Sequence, residues 1–211
     1  MPRKRFHGLA EDKQRHILMV AEHEFADRGF DGASYNRIIE RAGVSKGAMY
    51  YYFEDKEDLY TTVLRASTER YLAVVGAEPT PVTTAAQYWQ QVEESVRRGA
   101  RFWRTEPHTA GLVRSFVRAA ARGEVSDGIR EMRDVYRQTL SLFVGVGQAV
   151  GAVRTDLPLD LLIELLLSVG EGMDVWVADH LDELDDDALD ALAVQMCDLY
   201  RRLAAPLQEV S

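Results

Sequence analysis

Two serines, Ser34 and Ser45, each stand directly before a short helix-forming run, with Gly43 between them. No other stretch constrains the chain as tightly. A serine at a helix start can accept a hydrogen bond from an N–H in the first turn, so both are natural N-caps. Gly43 can take the left-handed conformation that a tight turn requires. The pattern predicts one short helix over Tyr35–Ala42 and another from Lys46 to about Phe53. Before them, Glu11–Arg28 places Ile17, Leu18, Ala21 and Phe25 at three- and four-residue spacings, with Gly29 where the helix stops. After them, the charged run Glu54 to Asp58 opens a fourth helix reaching roughly Val75. Two short capped helices around Ala42-Gly43-Val44-Ser45 are a helix-turn-helix candidate.

Nearly all the remaining chain also reads as helix. Gly76, Pro79, Thr80, Pro81, Thr83 and Thr84 form the one clear linker-like stretch. Helical segments follow at about 84–105, 107–121, 125–150, 158–181 and 186–204, punctuated by Pro107, Gly123, Gly151 and Pro158. No alternating strand pattern and no solenoid-length repeat is present. The expected fold class is all-α: an N-terminal three-helix bundle carrying the helix-turn-helix, then a larger helical domain, with the division at residues 1–65 and 66–211. No run of 18 apolar residues exists, because Glu164, Glu171 and Asp174 interrupt the longest apolar region, and no secretory signal follows the basic N-terminus. A cytoplasmic protein without a membrane span is expected.

A helix-turn-helix sets its second helix in the major groove, with small residues leading. Gly47 and Ala48 leave room for close approach, and Ser45 and Lys46 offer donors to phosphate. Ile38, Val44 and Met49 can form the small core that fixes the crossing angle. Tyr50, Tyr51 and Tyr52 carry hydroxyls that could reach phosphate, or pack into that core. Lys56 opens the fourth helix, whose N-terminus attracts anions. Arg37 could reach DNA or pair with Glu40; Arg3, Lys4 and Arg5 could be a minor-groove arm or a solvated tail. The net charge of −9 does not oppose this, because residues 1–60 hold 10 Lys+Arg against 11 Asp+Glu and the remainder 15 against 23. Phosphate binding needs a local basic face, not a basic protein.

The run from Ile17 through Phe25, Arg28-Gly29-Phe30, Ile38, Ala42-Gly43-Val44-Ser45-Lys46-Gly47, Tyr50, Phe53, Lys56 and Leu59 resembles the TetR/AcrR family of bacterial regulators. That resemblance implies phosphate contacts from Ser34, Lys46, Tyr50 and Lys56, and base-edge or groove contacts from Gly47, Ala48 and Tyr51. It departs at Asn36, where the family often has Arg, at Ile39, where Ala is common, and at Tyr52, where His is frequent. What transfers is a set of contact positions, not an operator sequence. The resemblance further implies a ligand-responsive repressor that binds a palindromic double-stranded operator as a homodimer. Its C-terminal helical domain would dimerise through the last two helices and hold a small hydrophobic or amphipathic ligand.

The sequence of that second domain offers candidates for both tasks. Leu189, Leu192, Met196, Leu199 and Leu203 recur at 3,4,3,4 spacing, and Leu162, Leu165, Leu166, Val169, Met173 and Trp176 line a face of the preceding helix. Folded inward they are core; paired with a second copy they are an interface, for which Leu162, Leu166, Val169, Leu189, Leu192, Met196, Leu199 and Leu203 are the expected residues. Trp89, Phe102, Phe116, Tyr136, Met173 and Trp176 could line a ligand pocket or be plain core, as could Trp103, Met132 and Phe143. Glu171 and Asp174, three apart, could offer a partly buried carboxylate to a cationic ligand or be solvated.

An enzyme is not expected. Gly145, Gly147 and Gly151 have a superficial likeness to a dinucleotide loop, but the third glycine is one residue late and no βαβ unit surrounds them. Helix packing and a helix stop explain these glycines. One cysteine, Cys197, excludes a disulfide framework and a multi-cysteine zinc site. The acidic run Asp182 to Asp190 lacks the glycine of an EF-hand and suits a helix start. No metal or cofactor is expected. The alternative to a ligand sensor is a DNA-binding relative whose C-terminal body docks a protein partner.

Overall fold

A computed structural model describes residues 4–121 and 127–207. The fold is all-α, with α1 (Lys4–His7), α2 (Glu11–Gly32), α3 (Tyr35–Arg41), α4 (Lys46–Tyr52), α5 (Lys56–Val75), α6 (Ala85–Thr105), α7 (Pro107–Ala121), α8 (Asp127–Ala149), α9 (Leu159–His180) and α10 (Asp186–Ala204). No described helix is long and apolar enough to cross a membrane. Arg3, Gly123 and the start expected for a helix at 125 lie outside the described residues.

The chain forms two compact units, Met1–Glu69 with Glu106–Met132, and Arg70–Thr105 with Arg133–Ser211. In the first, Ile17, Ala21 and Phe25 of α2 and Ile38, Met49, Phe53, Leu59 and Leu64 are all fully buried or nearly so. Burial of side chains this large contributes about 1.5 to 3 kcal/mol each. α7 lies along α2, so close at Gly111 that a Cβ there would stand 3.2 Å from Ala26 Cβ. Gly29 takes φ 66° and interrupts the regular helix where the sequence places a stop, although a further turn carries α2 on to Gly32. Lys4, Arg5 and His7 are not part of a loose tail: they belong to α1, and Phe6 is buried with its ring 4.7 Å from that of Phe53.

The second unit is built around Tyr88, Trp89, Val144, Val153, Leu162, Leu166 and Cys197. At the end of α8, Gly151 (φ 68°) donates its N–H to Gln148 O at 3.1 Å and Ala152 donates to Gly147 O at 2.8 Å, the paired bonds of a Schellman stop. The following turn is tied to the end of α10 by Arg154 N–H donating to Ala204 O at 2.7 Å. A Cβ at Gly147 would stand 2.4 Å from Val153 Cγ2 and 2.7 Å from Tyr88 Cζ. Gly147→Ala is therefore expected to destabilise by about 1 to 3 kcal/mol, read as a lower denaturation midpoint, whereas Gly145→Ala, with open space around its Cβ, should lose nothing comparable.

Candidate nucleic-acid interface

Local hydrogen bonds build the turn between α3 and α4. Ser34 Oγ accepts from Arg37 N–H at 3.3 Å and Ser45 Oγ from Ala48 N–H at 3.1 Å, so both serines cap their helices. Gly43 (φ 63°) donates to Glu40 O at 3.1 Å and Val44 donates to Ile39 O at 3.3 Å, a second Schellman stop. These bonds fix the angle at which α4 leaves α3.

With its ends fixed, α4 divides into two faces. Met49, Tyr52 and the following Phe53 are buried, with Tyr52 and Phe53 against Phe6. Lys46, Gly47, Tyr50 and Tyr51 face outward, and the two tyrosines are 43% and 45% exposed, a large aromatic exposure for one short helix. A Cβ on Gly47 would touch nothing within 4 Å. The glycine is thus not required by the protein's own packing, and its position leaves room for an external surface. Tyr50 packs edge-on to Tyr35 at 5.3 Å, and the Arg5 guanidinium lies 3.9 Å over the Tyr51 ring, which orders both exposed phenols.

Of the residues expected at this face, Ser45, Lys46, Gly47, Ala48, Tyr50 and Tyr51 lie on α4 or at its N-cap, while Ser34 caps α3. Tyr52 takes the core alternative. Lys56 holds the structure together: its Nζ donates to Phe30 O at 2.7 Å and Ala33 O at 3.2 Å, and it lies 4.5 Å over the Phe30 ring. It ties the start of α5 to the end of α2.

The placement of α3 depends on a residue that no sequence motif marks. Glu24 is buried to 1% exposure and accepts from Ser34 N–H at 3.0 Å and from Arg37 Nη1 at 2.6 Å. Arg28 and Arg41 both stand 3.7 Å from its carboxylate. Arg37 thus pairs with Glu24 rather than Glu40. Three arginines from α2 and α3 are gathered on one side of the motif around a single carboxylate.

The second unit holds a cavity of about 50 Å³ lined by Tyr71, Gly99, Trp103, Asp174, Val177 and Tyr200, among others. None of Trp89, Phe102, Phe116, Tyr136, Met173 and Trp176 lines it. Trp89 belongs to the core and Phe116 is buried on α7. Phe102 and Tyr136 stand behind Tyr71, with ring centroids 5.5 Å and 6.2 Å away, and Trp176 is exposed.

The residues of the expected dimer seam also separate. Leu162, Leu166, Leu189 and Met196 are buried in their own chain, Val169, Leu192 and Leu203 are half-buried, and Leu199 is exposed. The outward apolar stripe on α9 is instead Leu161, Leu165 and Trp176, with the small residues Ser168 and Gly172 between them, and α10 exposes Val194.

Residues 17–63, from α2 into α5, match the family model described as bacterial regulatory proteins, tetR family. An HTH-type transcriptional repressor of Mycobacterium tuberculosis, Rv1474c, is 38% identical over 66 residues, covering 31% of this chain and 35% of that protein. The repressor BepR of Brucella suis is 24% identical over 185 residues, covering 82% of this chain and 85% of that protein. The solved structure of the regulator FadR from Bacillus subtilis in complex with stearoyl-CoA superposes with a TM-score of 0.71 at 19% identity, covering 88% of this chain and 96% of that one. The helix-turn-helix region, residues 17–63, is thus a DNA-binding region of the tetR-family type, and it sits in a chain that aligns with a transcriptional repressor over most of both lengths and shares the all-helical fold of solved regulators.

Proposed function

We propose that the protein is a cytoplasmic, ligand-responsive repressor that binds a palindromic operator as a homodimer. Residues 1–65 act as the DNA-binding domain and residues 66–211 as the ligand-binding and dimerisation domain. The observation that carries this reading is the two-faced α4. Its buried side is locked by Met49, Tyr52 and Phe53, and its free side offers a cation, a glycine with open space and two ordered phenols.

Ser34, Lys46 and Tyr50 contact phosphate, Gly47, Ala48 and Tyr51 reach the groove, and Ser45, Tyr52 and Lys56 hold the motif in shape. Two copies paired through the exposed faces of α9 and α10 set their α4 helices about one DNA turn apart, roughly 34 to 36 Å. Ligand in the second domain shifts α5, which carries both Lys56 and the cavity residue Tyr71, and changes that spacing. A coupling of about 1 to 3 kcal/mol is sufficient. The stearoyl-CoA bound to FadR illustrates a ligand on the same fold. No catalytic step and no resident cofactor is part of this reading.

Mobility-shift selection from random duplexes at about 0.15 M salt is expected to recover one palindrome. Lys46→Ala and Tyr50→Phe should both weaken its binding, and Lys46→Ala should reduce the salt slope by about one unit per lost phosphate contact. Enrichment indifferent to both substitutions would refute α4 as the binding element.

A further inference from the structure

The cavity of the second unit is chemically lopsided. Tyr71 and Trp103, stacked 4.7 Å apart at 13°, both line it, and Phe102 supports Tyr71 edge-on from behind. Asp174 Oδ1 accepts from Trp103 Nε1–H at 3.0 Å. Among the described residues no lysine or arginine pairs with Asp174, and the like-charged Glu171, itself 3.2 Å from Arg133, acts on it unfavourably. The two phenols of the site occupy space that only glycine leaves open: a Cβ at Gly99 would stand 2.9 Å from Tyr71 Oη, and one at Gly170 would stand 2.6 Å from Tyr200 Oη.

Asp174 is half-buried, and a carboxylate partly removed from water without a cation is costly, while aromatic faces attract cations. Resting on the ligand-responsive reading above, we infer that this cavity is the headgroup site for an organic ammonium ligand, with Asp174 as counter-ion and Trp103 and Tyr71 as its aromatic wall. The volume suits a compact headgroup, about one or two waters' worth of space, so the remainder of a larger ligand extends beyond it.

Binding is linked to pH. Burial, opposed by the Trp103 hydrogen bond and aided by Glu171, raises the Asp174 pKa to about 7. Burial and then Asp174 raise Tyr71 and Tyr200, with Tyr136 also acting on Tyr71 and Cys197 on Tyr200, so the phenols stay neutral. Glu171 is raised by burial and lowered by Arg133. A cation binds the ionised Asp174 and displaces its proton, so affinity should rise about tenfold from pH 6 to pH 8.

The chain has three tryptophans, so the Trp103 indole N–H resonance, assigned with Trp103→Phe, reports directly on the site. Methylammonium and butylammonium titrated into the full-length protein should shift it saturably, about tenfold more tightly at pH 8 than at pH 6, while acetate and butyrate should not. Asp174→Asn, which keeps an acceptor for Trp103, should abolish the saturable shift; Gly99→Ala, which fills the cavity, should weaken it. No saturable shift with either amine, or one unchanged by Asp174→Asn, overturns the inference whatever happens at the operator. A saturable, Asp174-dependent shift without release of the operator upholds the cation site and defeats the ligand-responsive reading.

Discussion

Glu24→Ala is expected to destabilise the first unit by about 3 kcal/mol, combining an orphaned N–H with a partly collapsed void, and to weaken operator binding although Glu24 touches no DNA. The Ser34 N–H loses its 3.0 Å acceptor at the junction where α3 begins, and Arg37 loses its 2.6 Å partner. Arg28, Arg37 and Arg41 are about half exposed and can return to water, so the loss comes from the N–H and the emptied volume rather than from stranded arginines. Freed of Glu24, the start of α3 is no longer fixed to α2, and the Schellman turn passes that slack to α4. Glu24→Gln keeps one acceptor and should lie between wild type and alanine. Denaturant unfolding and mobility shift at fixed salt test this together; an alanine variant that unfolds at the wild-type denaturant concentration would show that the hub carries no stability.

Local chemistry was legible in the sequence and distant pairing was not. Ser34, Ser45, Gly43 and Gly151 marked their helix ends because a cap or a left-handed turn involves atoms only a few residues apart. The two-faced character of α4 followed from the same boundaries. Glu24 gave only the i,i+4 spacing to Arg28 as a local signal: its hydrogen-bond partners Ser34 and Arg37, and Arg41, lie beyond the helix stop at Gly29. Asp174 was visible as one of a pair of acids, but its donor, Trp103, comes from another helix. The cavity draws its lining from α5, α6, α9 and α10, so of the aromatics picked out helix by helix Trp103 lines it, Phe102 and Tyr136 stand behind Tyr71, and Trp176 is exposed. On α9, leucines occupy more than one face, and spacing alone does not say which face the chain buries for itself.

That division on α9 leads to the second large effect. Leu165→Arg is expected to convert the proposed dimer to monomer and to lower operator affinity about 100-fold or more, the loss that follows when two half-sites can no longer be held by one particle. Leu162 and Leu166 are buried within their own chain, so Leu161, Leu165 and Trp176 are left as an apolar stripe on its outer face, and Ser168 and Gly172 within the stripe allow another helix close approach. An exposed apolar patch of this kind marks a contact surface, and a second copy is the partner the proposed palindromic operator requires. At 38% exposure Leu165 can be replaced without opening the core, so the variant should remain folded. An arginine there brings two like charges toward each other across a two-fold axis, where burial without a counter-ion is costly. Sedimentation velocity should give a monomer where the wild type gives a dimer, with unchanged circular dichroism. A Leu165→Arg protein that stays dimeric with wild-type operator affinity would move the pairing surface away from α9, and a wild type that is monomeric on its own would leave this stripe to a different protein.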